Sequence, residues 1–334
     1  MKLLYLSCHE ILEYDEIKLF LELGIDVFSY GAYLNPYDEK AGKRAALPLK
    51  QDPDLVQLAN ACSKEKMLPE LIEPFDVIYC MHLPAYIANN WDIMKHKTVI
   101  WRTIGQSTSD VEQALAPMRA EGLKVVRYSP RERTIPQYIG EDAMIRFYKD
   151  PDEFKGWTGD ILRVMNVTQS MEKRDHFCNW DLFKHMMQGF PWVIYGQENE
   201  WAGNNCGGMV SYETLKKMYQ ANRVYFYTGT FPASYVLNFM EAWMTGIPVV
   251  AIGPKWGNAK FFEGQSTYEI QDLIENEVSG FYSDDPEELR EYLLMCLGSQ
   301  EFSKKIGEAG RKAAIKYFGK KTIKDQWKQF FRGL

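Results

Sequence analysis

The chain has 334 residues, 46% hydrophobic and 25% charged, and its 39 Lys plus Arg against 45 Asp plus Glu give a formal net charge of −6. That length exceeds what one hydrophobic core usually fills, and the balance is that of a globular protein, which excludes a wholly disordered or fibrous chain and predicts two domains. An acidic whole does not suit a protein that neutralises many phosphates, so nucleic acid is a disfavoured partner.

The opening run Met1–Ser7 reads as a first strand, because it is too short and too soon followed by acids for a signal peptide. No apolar stretch reaches the roughly 20 residues that span a bilayer. Cys8, Cys62, Cys80, Cys178, Cys206 and Cys296 are scattered without a CxxC pair. They read as reduced thiols, and a cytoplasmic location is expected. Short apolar runs then alternate with longer helical patterns, the mark of parallel sheets built from strand-helix-strand units. In the first half, strands are expected at 2–7, 25–29, 75–80, 97–102, 124–128 and 143–148. Helices are expected from Tyr14 to Leu23 and from Ser109 to Glu121, closed by Gly24 and Gly122.

The pattern breaks around Asp150-Pro151-Asp152 and resumes at Ile161. The expected organisation is an N-terminal Rossmann-like domain over 1–152, a second over 153–318, and a C-terminal helix over 319–334. Strands of the second half are expected at 161–168, 191–195, 223–227 and 247–252, with helices from Ser211 to Tyr219 and Ser234 to Thr245. Charge is uneven: Phe302–Leu334 carries ten Lys plus Arg and two acids, so everything before it carries −14. In that basic tail Ile323, Trp327, Phe330 and Phe331 share one helical face. Two readings stand: a helix docked on the protein with its lysines in water, or a basic surface that meets anionic lipid at the membrane periphery.

The segment from Tyr225 to Ala251 carries the most chemistry. A strand runs through a loop into a nearly all-apolar helix, with Ser234 as its expected cap, and the helix stops at Gly246 before Pro248 opens the next strand. Glu241 is the one acid on that helix, and a buried carboxylate needs protein donors or a polar ligand. A ribose diol fits, and the backbone N–H groups of Ser234, Tyr235, Val236 and Leu237 would seat a diphosphate at the helix start. The alternative is a core glutamate bonded to backbone or arginine.

Glu241-Ala242, then Gly246-Ile247-Pro248-Val249-Val250, resembles the donor-binding segment of GT-B fold glycosyltransferases, especially the retaining family four. The resemblance covers roughly residues 160–330. It implies an α/β protein of two doubly wound Rossmann-like domains facing a cleft, with the C-terminal helix crossing back to the first domain. It also implies that Glu241 binds the ribose of a sugar nucleotide. The family's first Glu falls on Ala233 and is absent. Gly207-Gly208-Met209-Val210, leading into the helix capped by Ser211, is similar to the family's base-side loop and places Met209 and Val210 beside the base. Lys173 and Arg174, after the strand ending near Thr168, match the cations that meet the diphosphate; as plain sequence they read equally as surface charges.

The first half resembles the family only in layout, so its candidates rest on position. Ligands gather at the carboxyl ends of parallel strands. His9, after the first strand, is a candidate general base, with Glu10 or Asp15 orienting it, and His82 at an equivalent strand end is a candidate for the donor sugar. A histidine bonded to a loop carbonyl is the alternative for both, and His96, His176 and His185 have nothing to commend them. Nothing in the sequence requires a divalent ion, so no metal or other cofactor is expected. The expected activity is transfer of a hexose or pentose from a nucleotide sugar to an unidentified acceptor, a glycan, a lipid-linked or a small molecule. Its rivals are a GT-B-like nucleotide-binding protein without catalysis, a sugar-nucleotide epimerase, and a transferase acting on modified bases in DNA.

Overall fold

Buried aromatic and β-branched runs become the strands of two parallel sheets. The computed structural model describes residues 1–35, 47–258 and 264–334. The chain divides into one unit of Met1–Phe147 with Ile323–Leu334 and a second of Tyr148–Thr322. In the first unit β1 (Lys2–Leu6), β2 (Asp26–Tyr30), β3 (Val77–Met81), β4 (Thr98–Arg102), β5 (Lys124–Arg127) and β6 (Ala143–Met144) pair in the order β2-β1-β3-β4-β5-β6. Every residue of β3 is buried, as in a strand covered on both faces. In the second unit β7 (Ile161–Val167), β8 (Trp192–Tyr195), β9 (Cys206–Gly208), β10 (Asn222–Tyr227), β11 (Val249–Ile252) and β12 (Phe281–Ser283) pair in the order β12-β11-β10-β7-β8-β9. The architecture is α/β with two Rossmann-like units, and the strand order reverses between β1 and β3 in one and between β7 and β10 in the other.

Three departures from the sequence pattern have local causes. Strands β9 and β12 are three residues each, and Cys-Gly-Gly offers no β-branched run to read. The strand expected over 143–148 leaves the sheet after Met144, where the Ile145 carbonyl instead accepts from Arg102 Nη1 at 2.5 Å. The first helix, Glu10–Glu22, starts four residues before Tyr14 because His9 caps it, its ring Nδ1 accepting from the Leu12 N–H at 3.3 Å.

Buried charge holds the first unit. Glu16 accepts from Arg102 Nε (3.0 Å) and from the hydroxyls of Tyr5 (2.7 Å) and Tyr79 (2.6 Å). Arg127 makes a two-pronged pair with Glu112 at 2.6 and 2.8 Å. Such pairs are tolerable in a core because further hydrogen bonds share the charge, as where Arg102 Nη1 donates to the Arg127 and Ile145 carbonyls. The terminal helix, Lys320–Arg332, enters this unit through Ile323 and Trp327. Trp327 is 0% exposed, packs edge-on against Phe20 at 5.1 Å, and lies 5.4 Å from the Arg102 guanidinium. Its apolar face is therefore used within the protein, while Lys321, Lys328 and Arg332 remain exposed.

The second unit is organised around the helix Leu237–Thr245, buried at every position from Phe239 on and closed by Gly246 at φ 94. It packs on the helix Gln300–Phe318, where a Cβ at Gly310 would come within 2.6 Å of Trp243 Nε1 and 2.7 Å of the Ser279 carbonyl. Glycine there permits the close approach, and Trp243 Nε1 donates to that carbonyl at 2.8 Å.

Candidate functional site

The order reversal between β7 and β10 puts the exit of β7 beside the start of the Leu237–Thr245 helix, and Asn238 Nδ2 donates to the Val167 carbonyl across that junction. The helix starts later than the sequence pattern implies. Its cap is Val236, with extended backbone and no side-chain cap bond, rather than Ser234. Ser234 is buried in the preceding turn, where its carbonyl accepts from Glu269 N–H at 3.0 Å, and Tyr235 is buried against Phe318 at 5.0 Å. The open first-turn amides are therefore those of Leu237, Asn238 and Phe239. With no side-chain acceptor over them, they keep the partial positive charge of a helix start.

Lys173 and Arg174 lie on a single 3-10 turn, Glu172–Arg174, just past β7. Lys173 Nζ is 3.1 Å from Glu198, and Arg174 Nη1 donates to the Gln169 carbonyl at 3.4 Å. Asn199, unremarked in the sequence, fixes the loops that carry them. It is buried, donates to the Thr168 and Gly196 carbonyls at 2.6 and 3.2 Å, and accepts from Met171 N–H at 3.1 Å.

One turn into the helix, Glu241 is 4% exposed. Its Oε1 lies 2.7 Å from Nζ of Lys149, itself 1% exposed, and 3.4 Å from the Tyr212 hydroxyl. Oε2 accepts from the Tyr219 hydroxyl at 3.4 Å. The carboxylate has donors within the protein, with lysine as the cation. Burial, then the nearby Glu241 charge, holds the Tyr219 hydroxyl well above the usual tyrosine range. Sequence reasoning missed Lys149 because nothing local ties it to a helix so much further along the chain. The helix Tyr212–Ala221 begins as expected at Ser211, whose side chain accepts from Thr214 N–H at 3.2 Å. Since Tyr212 reaches Glu241, the loop of Met209, 70% exposed, and Val210 leads directly to the carboxylate.

The first unit gathers its candidates at the β1/β3 reversal, where the Cys8 thiol donates to the Met81 carbonyl at 3.6 Å. With Nδ1 of His9 occupied as a cap acceptor, the neutral ring carries its proton on Nε2, which makes that edge a donor. Action as a base at Nε2 would need the cap broken. Glu10 opens the helix, where a negative charge favours the helix start, and Asp15 is buried. His82 sits just past β3 in left-handed backbone at φ 60, followed by Leu83 at φ 52. Its N–H donates to the Arg102 carbonyl at 2.7 Å, while its Nδ1 is buried with no hydrogen-bond partner among the described residues. Burial pushes its ionisation down to about 4, so the ring is neutral at pH 7. Two consecutive left-handed non-glycine residues are uncommon and mark a constrained strand end.

No protein-family model and no curated protein matches the sequence. The two units and their strand orders define the GT-B fold, the Rossmann-like two-domain architecture found in glycosyltransferases. HepE of Anabaena, solved in complex with UDP, is similar at TM-score 0.69 and 15% identity over the whole of both chains. Sucrose-phosphate synthase of Thermosynechococcus elongatus is similar at 0.71 and 13%, covering 100% of this chain and 98% of that one. A glycosyltransferase of Rickettsia africae is similar at 0.66 and 14%, covering 99% and 98%. At these identities the likeness is one of fold. Among the described residues, no helix is long and apolar enough to cross a membrane.

Proposed function

We propose that the chain is a glycosyltransferase whose sugar donor is a nucleotide sugar held by the Tyr148–Thr322 unit. The observation that carries this reading is the β7/β10 junction. An uncapped helix start, two cations on the turn after β7 and a carboxylate one turn into the same helix fit a diphosphate followed by a ribose. The likeness to HepE, solved with UDP and with UDP-glucose, supports the same assignment. On this reading the amides of Leu237 to Phe239 and the side chains of Lys173 and Arg174 offset the charge of the departing nucleoside diphosphate, the electrostatic task of the transfer, so no metal is needed. Glu241 receives the ribose, and Met209 and Val210 flank the base. In the first unit, His9 through Nε2–H and neutral His82 would hydrogen-bond hydroxyls of the acceptor, with Glu10 next to His9 in the chain. Retention of configuration follows from the resemblance to the retaining family four, and since the loop Thr228–Tyr235 holds no acid, no carboxylate nucleophile comes from it.

A second reading, a nucleotide-binding protein without catalysis, draws on Ala233 and on the pairing of Glu241 with Lys149. Thermal shift with UDP, GDP, ADP and dTDP, each with and without a sugar, tests both. Saturation at a hundredfold over Kd adds about 2.7 kcal/mol to stability, a shift of several degrees. No shift with any of them would sink the nucleotide site. Binding with no sugar release or transfer across an acceptor panel would favour the second reading.

A further inference from the structure

We propose that Lys149 is the positioning residue of the donor site: it fixes the Glu241 carboxylate so that Oε2 faces one hydroxyl of a ligand's ribose. This rests on the reading that Glu241 receives the ribose. The two oxygens of Glu241 are unequally used. Oε1 takes the short contact with Lys149 Nζ at 2.7 Å, whereas Oε2 has one donor among the described residues, the Tyr219 hydroxyl at 3.4 Å. A carboxylate oxygen can accept about two hydrogen bonds, so Oε2 retains capacity for a further donor. The terminal torsion of a glutamate is soft, and a charge-assisted bond to one oxygen is what sets the direction of the other.

Lys149 is itself held by backbone. Its N–H donates to the Phe318 carbonyl at 2.9 Å, and it forms an isolated parallel bridge with Gly319. Next to it, Asp150 lies 3.4 Å from Lys320 Nζ. The ammonium is therefore placed by two chain segments lying side by side, at the point where the chain enters the second unit, and not by a mobile surface stem. Lys149 would contact Glu241 and leave the nucleotide untouched. If the ammonium instead occupied the place of the ribose, removing it would raise affinity, the opposite outcome.

The test is calorimetric binding of UDP and dideoxy-UDP to the parent, Glu241→Gln, Lys149→Met and Lys149→Arg proteins; GDP or ADP with its dideoxy counterpart replaces UDP if the panel above selects it. The parent is expected to prefer the ribonucleotide by about tenfold or more, the worth of hydrogen bonds to a charged group. Glu241→Gln should abolish that preference. Lys149→Met should abolish it too while leaving dideoxy-nucleotide affinity within about twofold, a selectivity that loss of structure alone does not produce. Lys149→Arg keeps the charge in a buried setting but not the point geometry of an ammonium, so it should fold and still lose at least about threefold of the preference. It decides the matter if Lys149→Met fails to fold. An unchanged or increased preference in the folded Lys149 variant, with Glu241→Gln collapsing it, overturns this inference alone. A preference that survives Glu241→Gln, or no nucleotide binding at all, removes the ribose assignment and this inference with it.

Discussion

Both units end their central strands at an order reversal, yet they furnish those ends with opposite electrostatics. At the β1/β3 end stand a thiol, a capping histidine and a neutral buried one, while charge lies deeper, in Glu16–Arg102 and Glu112–Arg127. At the β7/β10 end stand Lys173, Arg174 and an open helix start, while the Lys149–Glu241 pair lies in a core that also buries Asn166, Asn222, Arg223 and Glu269. A Rossmann-like unit thus separates what holds it from what it offers a ligand, and the two can be exchanged. Buried ion pairs hold the first unit, and its β1 end carries the acid Glu10 at a helix start. Close packing of helices holds the second and leaves its strand ends cationic.

The largest effect expected from breaking this contrast is at Trp327. Trp327→Ala should lower stability to chemical denaturation by about 3–5 kcal/mol through the cavity left beside Phe20 and Tyr79, with nucleotide affinity of the folded protein unchanged. A change in affinity instead would tie the first unit's packing to the proposed nucleotide site.

Next come two titrations of opposite sign within the first unit. Glu132 accepts from the Thr103 hydroxyl at 2.8 Å, and burial raises its ionisation from 4.5 to about 7. Between those values the folded protein holds a proton that the unfolded chain has lost, so this group's contribution to stability falls as pH rises, by about 1.4 kcal/mol per pH unit. His82 is lowered from 6.5 to about 4, and in that window the unfolded chain holds the extra proton, so its contribution rises with pH at the same slope. The two oppose each other in the parent between about pH 4.5 and 6.5. Melts across pH should show Glu132→Gln gaining stability more steeply than the parent as pH rises, and His82→Asn losing it. Parallel curves would return both groups to ordinary ionisation.

In the second unit the corresponding break is steric. Gly310→Ala should cost about 1–3 kcal/mol, because the new methyl meets Trp243 and the Ser279 carbonyl where two helices approach. The smallest effect is at Ser211, where Ser211→Ala removes a helix cap and should cost about 1 kcal/mol without altering the response to nucleotide. A larger loss of binding would show that the cap also positions Met209 and Val210.

Strand positions were legible because a buried parallel strand is a short continuous apolar run, as β3 and β10 are. Helix ends were legible where glycine closes them, at Gly24 with φ 77 and Gly122 with φ 112. Starts were less so. His9 caps a helix with a ring nitrogen, outside the usual serine, threonine, aspartate and asparagine set, and Val236 caps one with no side-chain bond at all. The need of Glu241 for a partner could be stated from one apolar helix, since an isolated buried carboxylate is unaffordable anywhere. Which partner it has could not. Lys149, Tyr212 and Tyr219 meet it only because the sheet and its crossovers bring distant segments together, and a local pattern records periodicity and end chemistry, not proximity. The sequence by itself therefore determined the longer strands, the two-unit organisation and the residue whose charge demanded an explanation. The tertiary structure alone decided which cation answers it and how its two oxygens are shared among Lys149, Tyr212 and Tyr219, because those depend on distances of a few ångströms between segments that the chain keeps far apart.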